Sequence, residues 1–117
     1  MPQDPLHIEE IPETPESARV LRLSGPILIS NFFTFQSLVR GSVSPCLILD
    51  LTDVPYIDSA GIGLLVGAYV AHDKQGRRLA LAGVTQRVRN TMQVTRVEQF
   101  FNFYGTVGDA QAAGTKV

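Results

Sequence analysis

A nearly continuous apolar run at residues 46–51, in which Asp50 is the only charged residue, constrains the fold of this chain most strongly. Such a run is typical of a strand buried on both faces, as happens when helices cover both sides of a parallel sheet. A short connection then leads to Asp58, whose residue type caps helices, and a helix is predicted from Ser59 to about Lys74, ending at Gly76. We therefore expect a central strand followed by a long helix.

Further strands and helices alternate along the chain. Strands are predicted at residues 6–11, 18–23, 79–82 and 100–104, and helices at residues 32–40, 86–95 and 107–113. We expect Ser30 or Asn31 to cap the first of these helices, Thr85 the second and Thr106 the last. The alternation implies βαβ crossovers and a mostly parallel sheet, although the two earliest strands are free to pair antiparallel. The predicted fold class is α/β, with a mixed four- to five-stranded sheet and about four helices. Core aromatic residues are expected at Phe100, Phe101, Phe103 and Tyr104.

The length and charge of the chain argue against several classes of protein. The 117 residues fit one domain, residues 1–117, which begins with an acidic, proline-rich lead-in at residues 1–16. A net charge of −1 argues against nucleic-acid binding through bulk positive charge. Cys46 is the only cysteine, so an internal disulfide framework is excluded and a His/Cys metal site is not expected. The uncharged residues 60–71 are fewer than the roughly 20 that span a bilayer, so no membrane contact is expected.

The predicted helix at Ser59 lacks charge on both of its faces. One face carries an apolar stripe expected to pack in the core: Ile62, Leu65, Val66, Tyr69 and Val70. The opposite face holds Leu64, Gly67, Ala68 and Ala71, where a solvated helix is normally charged. Either the domain itself covers this second face, or the face docks a partner protein with Leu64 and Ala68 at its centre.

Ser59 lies at the positive end of this helix, and two roles are open to it. Asp58 or Ser59 could act only as a helix cap. Alternatively, a phosphate on Ser59 would meet free backbone N–H groups, so the fold would tolerate it. That phosphate would add about −1.5 to −2 charges. Next to Asp53 and Asp58, it would repel an acidic or apolar partner and so switch binding off.

Other patterns suggest catalysis or ligand binding but fail in detail. Gly61, Gly63 and Gly67 miss the spacing of a dinucleotide-binding loop by one place. Asp50, Asp53 and Asp58 lack the further oxygen ligands of a magnesium site, and His72 lies nearly four helical turns from Ser59. We therefore expect no catalytic residue, metal or cofactor. The rival hypothesis is a small hydrolase or phosphotransfer enzyme that uses Asp50 or Asp58.

The segment at residues 47–65 resembles the signature of the STAS domain, the bacterial anti-sigma-factor antagonist family. That signature is a buried strand that ends in Asp-Leu-Ser/Thr, then a short turn, then a helix that begins with Asp-Ser-Ser/Ala-Gly-Leu/Ile-Gly-x-Leu. Here the strand carries Asp50-Leu51-Thr52, and the helix opens with Asp58-Ser59-Ala60-Gly61-Ile62-Gly63-Leu64-Leu65. The resemblance extends weakly over nearly the whole chain. Two acids that the family often has after the second strand are missing from residues 24–28, and Ala60 replaces a second serine.

The resemblance implies a protein-binding module that is not an enzyme. It would bind an anti-sigma factor that is itself a serine kinase, and phosphorylation of Ser59 would block this binding until a phosphatase reverses it. Localisation in the cytoplasm is implied, and a homodimer is left open. The partner-binding residues by this match are Asp58, Ser59, Ala60, Gly61, Gly63, Leu64, Gly67 and Ala68. STAS domains also occur as stressosome scaffolds and as accessory subunits of transporters, and that alternative role would need no switch.

Overall fold

The computed structural model describes residues 5–11 and 18–114. In this part of the chain, five strands form one mixed sheet in the order β1-β2-β3-β4-β5. The strands are β1 (His7–Ile11), β2 (Ala18–Ser24), β3 (Cys46–Asp53), β4 (Arg78–Ala82) and β5 (Asn102–Tyr104). Strand β1 pairs antiparallel with β2, and all the other neighbours are parallel. The expected α/β fold with a mixed sheet is confirmed, and the predicted first strand is present. Most of the predicted lead-in, residues 1–4 and 12–16, lies outside the described residues.

Helices cover both faces of the sheet. They are α1 (Phe33–Arg40), α2 (Ser59–Lys74), α3 (Gln86–Val94) and α4 (Val107–Gly114), and a short 3-10 helix spans Glu98–Phe100. On one face, Leu47 and Leu49 of β3 join the core that contains buried residues of α1, α2 and α3. On the other face, Cys46 and Ile48 pack in a smaller cluster with Ala110 of α4. Strand β3 is therefore buried on both sides, as its apolar sequence predicts.

The predicted cap of α1 is wrong. Phe32 occupies the N-cap position without a side-chain hydrogen bond. Asn31 instead stabilises the loop before the helix, because its side chain accepts from the Leu28 N–H at 3.0 Å and donates to the Pro26 carbonyl at 2.9 Å. Thr85 does cap α3, since its hydroxyl accepts from the Val88 N–H at 3.3 Å. The same residue types therefore serve different local structures in the two places.

The last predicted strand begins two residues later than expected. Phe100 belongs to the 3-10 helix and is 42% exposed, so its expected place in the core is wrong. Phe101 is buried and packs edge-on against Tyr69 of α2. The turn of the 3-10 helix points only one of the two neighbouring rings inward. None of the helices described here is long and apolar enough to cross a membrane.

Candidate functional site

The candidate site forms where β3 leads into α2, beside the loop that follows β2. An isolated parallel bridge joins Ile27 of this loop to Ile57 of the connection after β3. The Ile27 N–H donates to the Tyr56 carbonyl, and the Asp58 N–H donates to the Ile27 carbonyl, each at 3.2 Å. Two segments about thirty residues apart in sequence thus lie side by side, at the carboxyl ends of β2 and β3 where sites in such folds are usually found.

The Asp58 carboxylate connects these two segments. Its Oδ1 accepts from the Gly61 N–H at 2.8 Å, which caps α2. Its Oδ2 accepts from the Ile29 N–H at 3.1 Å in the neighbouring loop. Bonds from backbone N–H groups to a carboxylate are stronger than neutral hydrogen bonds. Asp58 therefore fixes both the start of α2 and the position of the loop that carries Ile29.

Ser59 is the first residue of α2, and it is exposed. Asp58, not Ser59, provides the cap, and the Ser59 hydroxyl makes no hydrogen bond within the described part of the chain. The hydroxyl is therefore available at the positive end of a sixteen-residue helix. Of the two capping residues that the sequence left open, the structure selects Asp58.

The charge of Asp53 is compensated within the chain. Arg22 on β2 donates to Asp53 Oδ2 at 2.9 Å, and this hydrogen bond raises the pKa of the Arg22 guanidinium. Both side chains are exposed, so the pair itself contributes little stability. The expected repulsion of a partner by the acids around Ser59 therefore depends on Asp58 rather than on Asp53.

Helix α2 buries a different stripe from the predicted one. Ile62 and Leu65 are buried as expected, but Val70 is 41% exposed. Ala68, expected at the centre of an exposed face, is only 7% exposed and packs within the chain's own core. Leu64 is half-buried, whereas Gly63 and Gly67 are exposed. The chain's own core thus covers part of this face, and the rest of the face is exposed or half-buried.

The uncharged side of α2 borders a groove between α1 and α2. The groove has a volume of about 360 Å³. Its apolar lining consists of Phe32, Val39, Ala60, Leu64, Ala68 and Ala71. Added Cβ atoms at Gly63 and Gly67 would meet nothing within 4 Å, so the backbone of α2 is accessible from the groove. Among the predicted partner-binding residues, Ala60, Gly63, Leu64, Gly67 and Ala68 are brought together along this groove.

Two exposed apolar residues at the site were missed in the sequence. Ile29 is 58% exposed and Phe33 is 63% exposed. The Ile29 N–H is bound to Asp58, and the ring of Phe33 packs edge-on against Phe32, which lines the groove. The adjacent pair Phe32-Phe33 was the available signal, because two consecutive residues at a helix start cannot both face the core. Exposed side chains of this size are candidates for contact with another protein.

The remaining acidic candidates hold the backbone in place. Asp50 Oδ1 accepts from the Thr52 hydroxyl at 2.6 Å and from the Thr52 N–H at 3.1 Å. Within residues 5–11 and 18–114, no group of three or more His, Cys, Asp or Glu side chains is arranged to hold a metal ion. The rival enzyme hypothesis would therefore have to use Asp50 or Asp58 carboxylates that already accept hydrogen bonds from the chain itself.

Replacement of Asp58 by alanine is expected to destabilise the protein by about 1–2 kcal/mol, because the helix cap and the bond to the Ile29 N–H are both lost. Asp58→Asn retains an acceptor oxygen and should cost less. The free energy of unfolding is measured by urea denaturation followed by far-UV circular dichroism, since the chain has no tryptophan. If the alanine variant proved as stable as the parent, Asp58 would not join the two segments in solution.

The STAS domain family model matches residues 9–110 of this chain. Among curated proteins, the anti-sigma-B factor antagonist of Listeria monocytogenes is 30% identical over 61 residues. This match covers 52% of the chain and 54% of the relative, so the chain spans about half the length of this relative.

Solved structures share the fold. An anti-sigma factor antagonist from Mycobacterium paratuberculosis superposes with a TM-score of 0.78 at 21% identity, over 92% of each chain. The STAS domain of a SulP transporter from Vibrio cholerae superposes with a TM-score of 0.70 at 26% identity, over 87% of this chain and 84% of that domain.

Proposed function

The chain belongs to the STAS domain family, and on that basis we propose that it is an anti-sigma-factor antagonist switched off by phosphorylation of Ser59. The observation that carries this proposal is the exposed Ser59 hydroxyl at the start of α2, which Asp58 frees from any capping role. Similarity to the Listeria antagonist over 61 residues supports the proposed class of partner.

The proposed docking surface consists of the residues that are exposed or half-buried around Ser59. These are Ile29, Phe33, Ala60, Gly63, Leu64 and Gly67. Ile29 and Phe33 offer apolar area, and the two glycines allow a partner to approach the helix backbone closely. Gly61 and Ala68 are buried, so their proposed contribution is to shape this surface from below. Asp58 would hold the Ile29 loop in the binding position.

The proposed switch follows from electrostatics. A phosphate on Ser59 would add about −1.5 to −2 charges at the edge of the docking surface. Backbone N–H groups and the dipole of α2 would stabilise it, so the fold would remain intact. A partner that buries Ile29 and Phe33 would have to remove water from the phosphate and from the neighbouring Asp58. The cost of this desolvation would release the partner.

The proposed partners are an anti-sigma factor with serine kinase activity and a phosphatase that restores the unmodified form. Binding of the kinase would place its active site near Ser59, because the hydroxyl lies beside the docking surface. The domain itself would have no enzymatic activity and no cofactor. Because sigma factors act on transcription in the bacterial cytoplasm, we propose that localisation for the chain.

Phosphorylation is expected at Ser59 and at no other serine near the site. Incubation with the cognate kinase and ATP should add one phosphate, detected by intact mass and localised by peptide mapping. Ser59→Ala should remain unmodified, whereas Ser30→Ala, which alters another exposed serine in the loop after β2, should be modified like the parent. Equal phosphorylation of Ser59→Ala and the parent would remove Ser59 as the modified residue.

A second candidate function is a non-switching scaffold or accessory domain. The structural match to the SulP transporter domain, at 26% identity, favours this alternative. In such a protein Ser59 would have no role in binding, and Ser59→Ala and Ser59→Asp would both bind the partner normally. Since Asp58 provides the cap, Ser59→Ala should leave stability within about 0.5 kcal/mol of the parent in either case.

A further inference from the structure

The groove between α1 and α2 differs in chemistry along its length. Near the start of α2 it is lined by Phe32, Ala60 and Leu64, which are apolar. Toward the carboxyl ends of both helices it is lined by Arg40, His72, Gln75 and Arg77, with Gln36 one turn before Arg40. The volume of about 360 Å³ lies in the range of about 300–1,000 Å³ that small-molecule sites occupy. The groove therefore has an apolar part and a polar end.

The polar end carries positive charge that no acidic side chain of residues 5–11 and 18–114 neutralises. Arg40 and Arg77 are the charged residues of the lining, and no Asp or Glu accompanies them. Arg40 is exposed and forms no ion pair with any described residue. Arg77 donates to the Ser42 carbonyl, a neutral acceptor that leaves its charge uncompensated. An anionic group is the chemical complement of this end.

His72 contributes to the wall at this polar end. It lies in the wall of the groove and is 97% buried, since its relative exposure is 3%. Its Nδ1 is 2.8 Å from the Ala68 carbonyl, whereas its buried Nε2 has no partner within the described residues. The hydroxyl of Ser42, next to Arg77, is likewise buried without a partner there. Both atoms are covered by the chain itself, so they lie behind the wall of the groove, and the two arginines provide the charge that a ligand would meet.

We infer that the groove between α1 and α2 binds a small amphipathic carboxylate of the fatty-acid type. Its alkyl chain lies against Phe32, Val39 and Leu64 above the open backbone at Gly63 and Gly67. Its carboxylate lies between Arg40 and Arg77, at the end where His72 contributes to the wall. The site overlaps the docking surface at Leu64 and Gly67, so the ligand competes with a partner protein there. This inference does not depend on phosphorylation of Ser59.

Titration with dodecanoate, kept below its micelle concentration, tests the inference. In heteronuclear NMR spectra of the full chain, the resonances of Gly63, Gly67 and Ala71 should shift and saturate together. Dodecyltrimethylammonium has the same tail with a cationic head, and it should bind at least tenfold more weakly. Arg40→Glu should weaken dodecanoate binding at least tenfold, whereas Arg87→Gln, which removes an arginine that does not line the groove, should have no effect.

A second variant separates loss of the groove from loss of folding. Gly67→Leu places a side chain where nothing lies within 4 Å and replaces a glycine inside a helix, so the fold should persist while the groove is filled. This variant should not bind dodecanoate, and the control Val70→Leu on another face of α2 should bind normally. Equal binding of the two amphiphiles, or unchanged binding by Gly67→Leu, would overturn the inference. A third result would also overturn it: dodecanoate does not bind, and Gly67→Leu alters the self-association measured by sedimentation. The occupant of the groove would then be a second copy of the chain.

Discussion

Ser59→Asp and Leu64→Arg are each expected to weaken binding of the proposed anti-sigma-factor partner at least tenfold, which corresponds to at least about 1.4 kcal/mol. Ser59 lies at the edge of the proposed docking surface, and Leu64 lies half-buried beside it. Either substitution would place a charge in an interface that removes it from water without a compensating partner. Isothermal titration calorimetry with the purified partner measures the dissociation constants directly.

The controls for this prediction separate charge from side-chain identity and position. Ser59→Ala removes the hydroxyl without adding charge and should bind like the parent. Val94→Arg introduces the same cation as Leu64→Arg at an 82% exposed position on α3, away from the proposed surface. Its affinity should be unchanged. Parental affinity for both Ser59→Asp and Leu64→Arg would eliminate the proposed docking surface.

Alanine at Gly61 and at Gly63 is expected to have opposite effects on stability. A Cβ at Gly61 would lie 2.6 Å from the Ile27 carbonyl oxygen and 2.6 Å from Cγ1 of Ile57, whereas one at Gly63 would meet nothing within 4 Å. Gly61→Ala should therefore cost about 1–3 kcal/mol through overpacking against backbone. Gly63→Ala should gain up to about 1 kcal/mol through helix propensity. The midpoints of urea denaturation report both free energies.

The pair of variants also tests the close contact between α2 and the loop after β2. Both substitutions add the same methyl group two residues apart on one helix, so the difference in propensity between them is small. The difference between the two free energies then measures the contact of Gly61 with Ile27 and Ile57. Should both variants be stabilised equally, the loop would have to move away from α2 in solution, and Ile29 would lose its position on the docking surface.

Strand β3 and helix α2 could be predicted from the sequence because local signals determine them. The run at residues 46–51 is apolar without alternation, and a strand of this kind has to be buried on both sides. Asp58 can accept a hydrogen bond from an N–H group of the next helical turn, which marks the start of α2. The observed bounds of α2, Ser59–Lys74, match the predicted ones. The cap of α1 could not be predicted in the same way. The side chain of Asn31 hydrogen-bonds to backbone groups of its own loop and does not cap the helix.

The orientation of α2 could not be predicted, because the helix is uncharged around most of its circumference. No single face is the preferred one to bury, so the position of α1 decides which residues are covered. As a result Ala68 is buried and Val70 is exposed, contrary to the predicted stripe. Ile29 and Phe33 were missed for a related reason. Ile29 lies next to Asp58 because the bridge between Ile27 and Ile57 connects two distant parts of the chain, and Phe33 packs against Phe32, which lines the groove.

The hydrogen bonds of Asp58 to both Gly61 and Ile29 have a practical consequence for peptide reagents. A synthetic fragment covering the strand, turn and helix around Ser59 would contain the proposed phosphate acceptor but neither Ile29 nor Phe33. We expect such a fragment to be a substrate of the proposed kinase and still to compete poorly for the binding site of the proposed anti-sigma factor. Inhibitors that mimic the proposed docking surface would therefore need to reproduce a discontinuous epitope rather than a linear one.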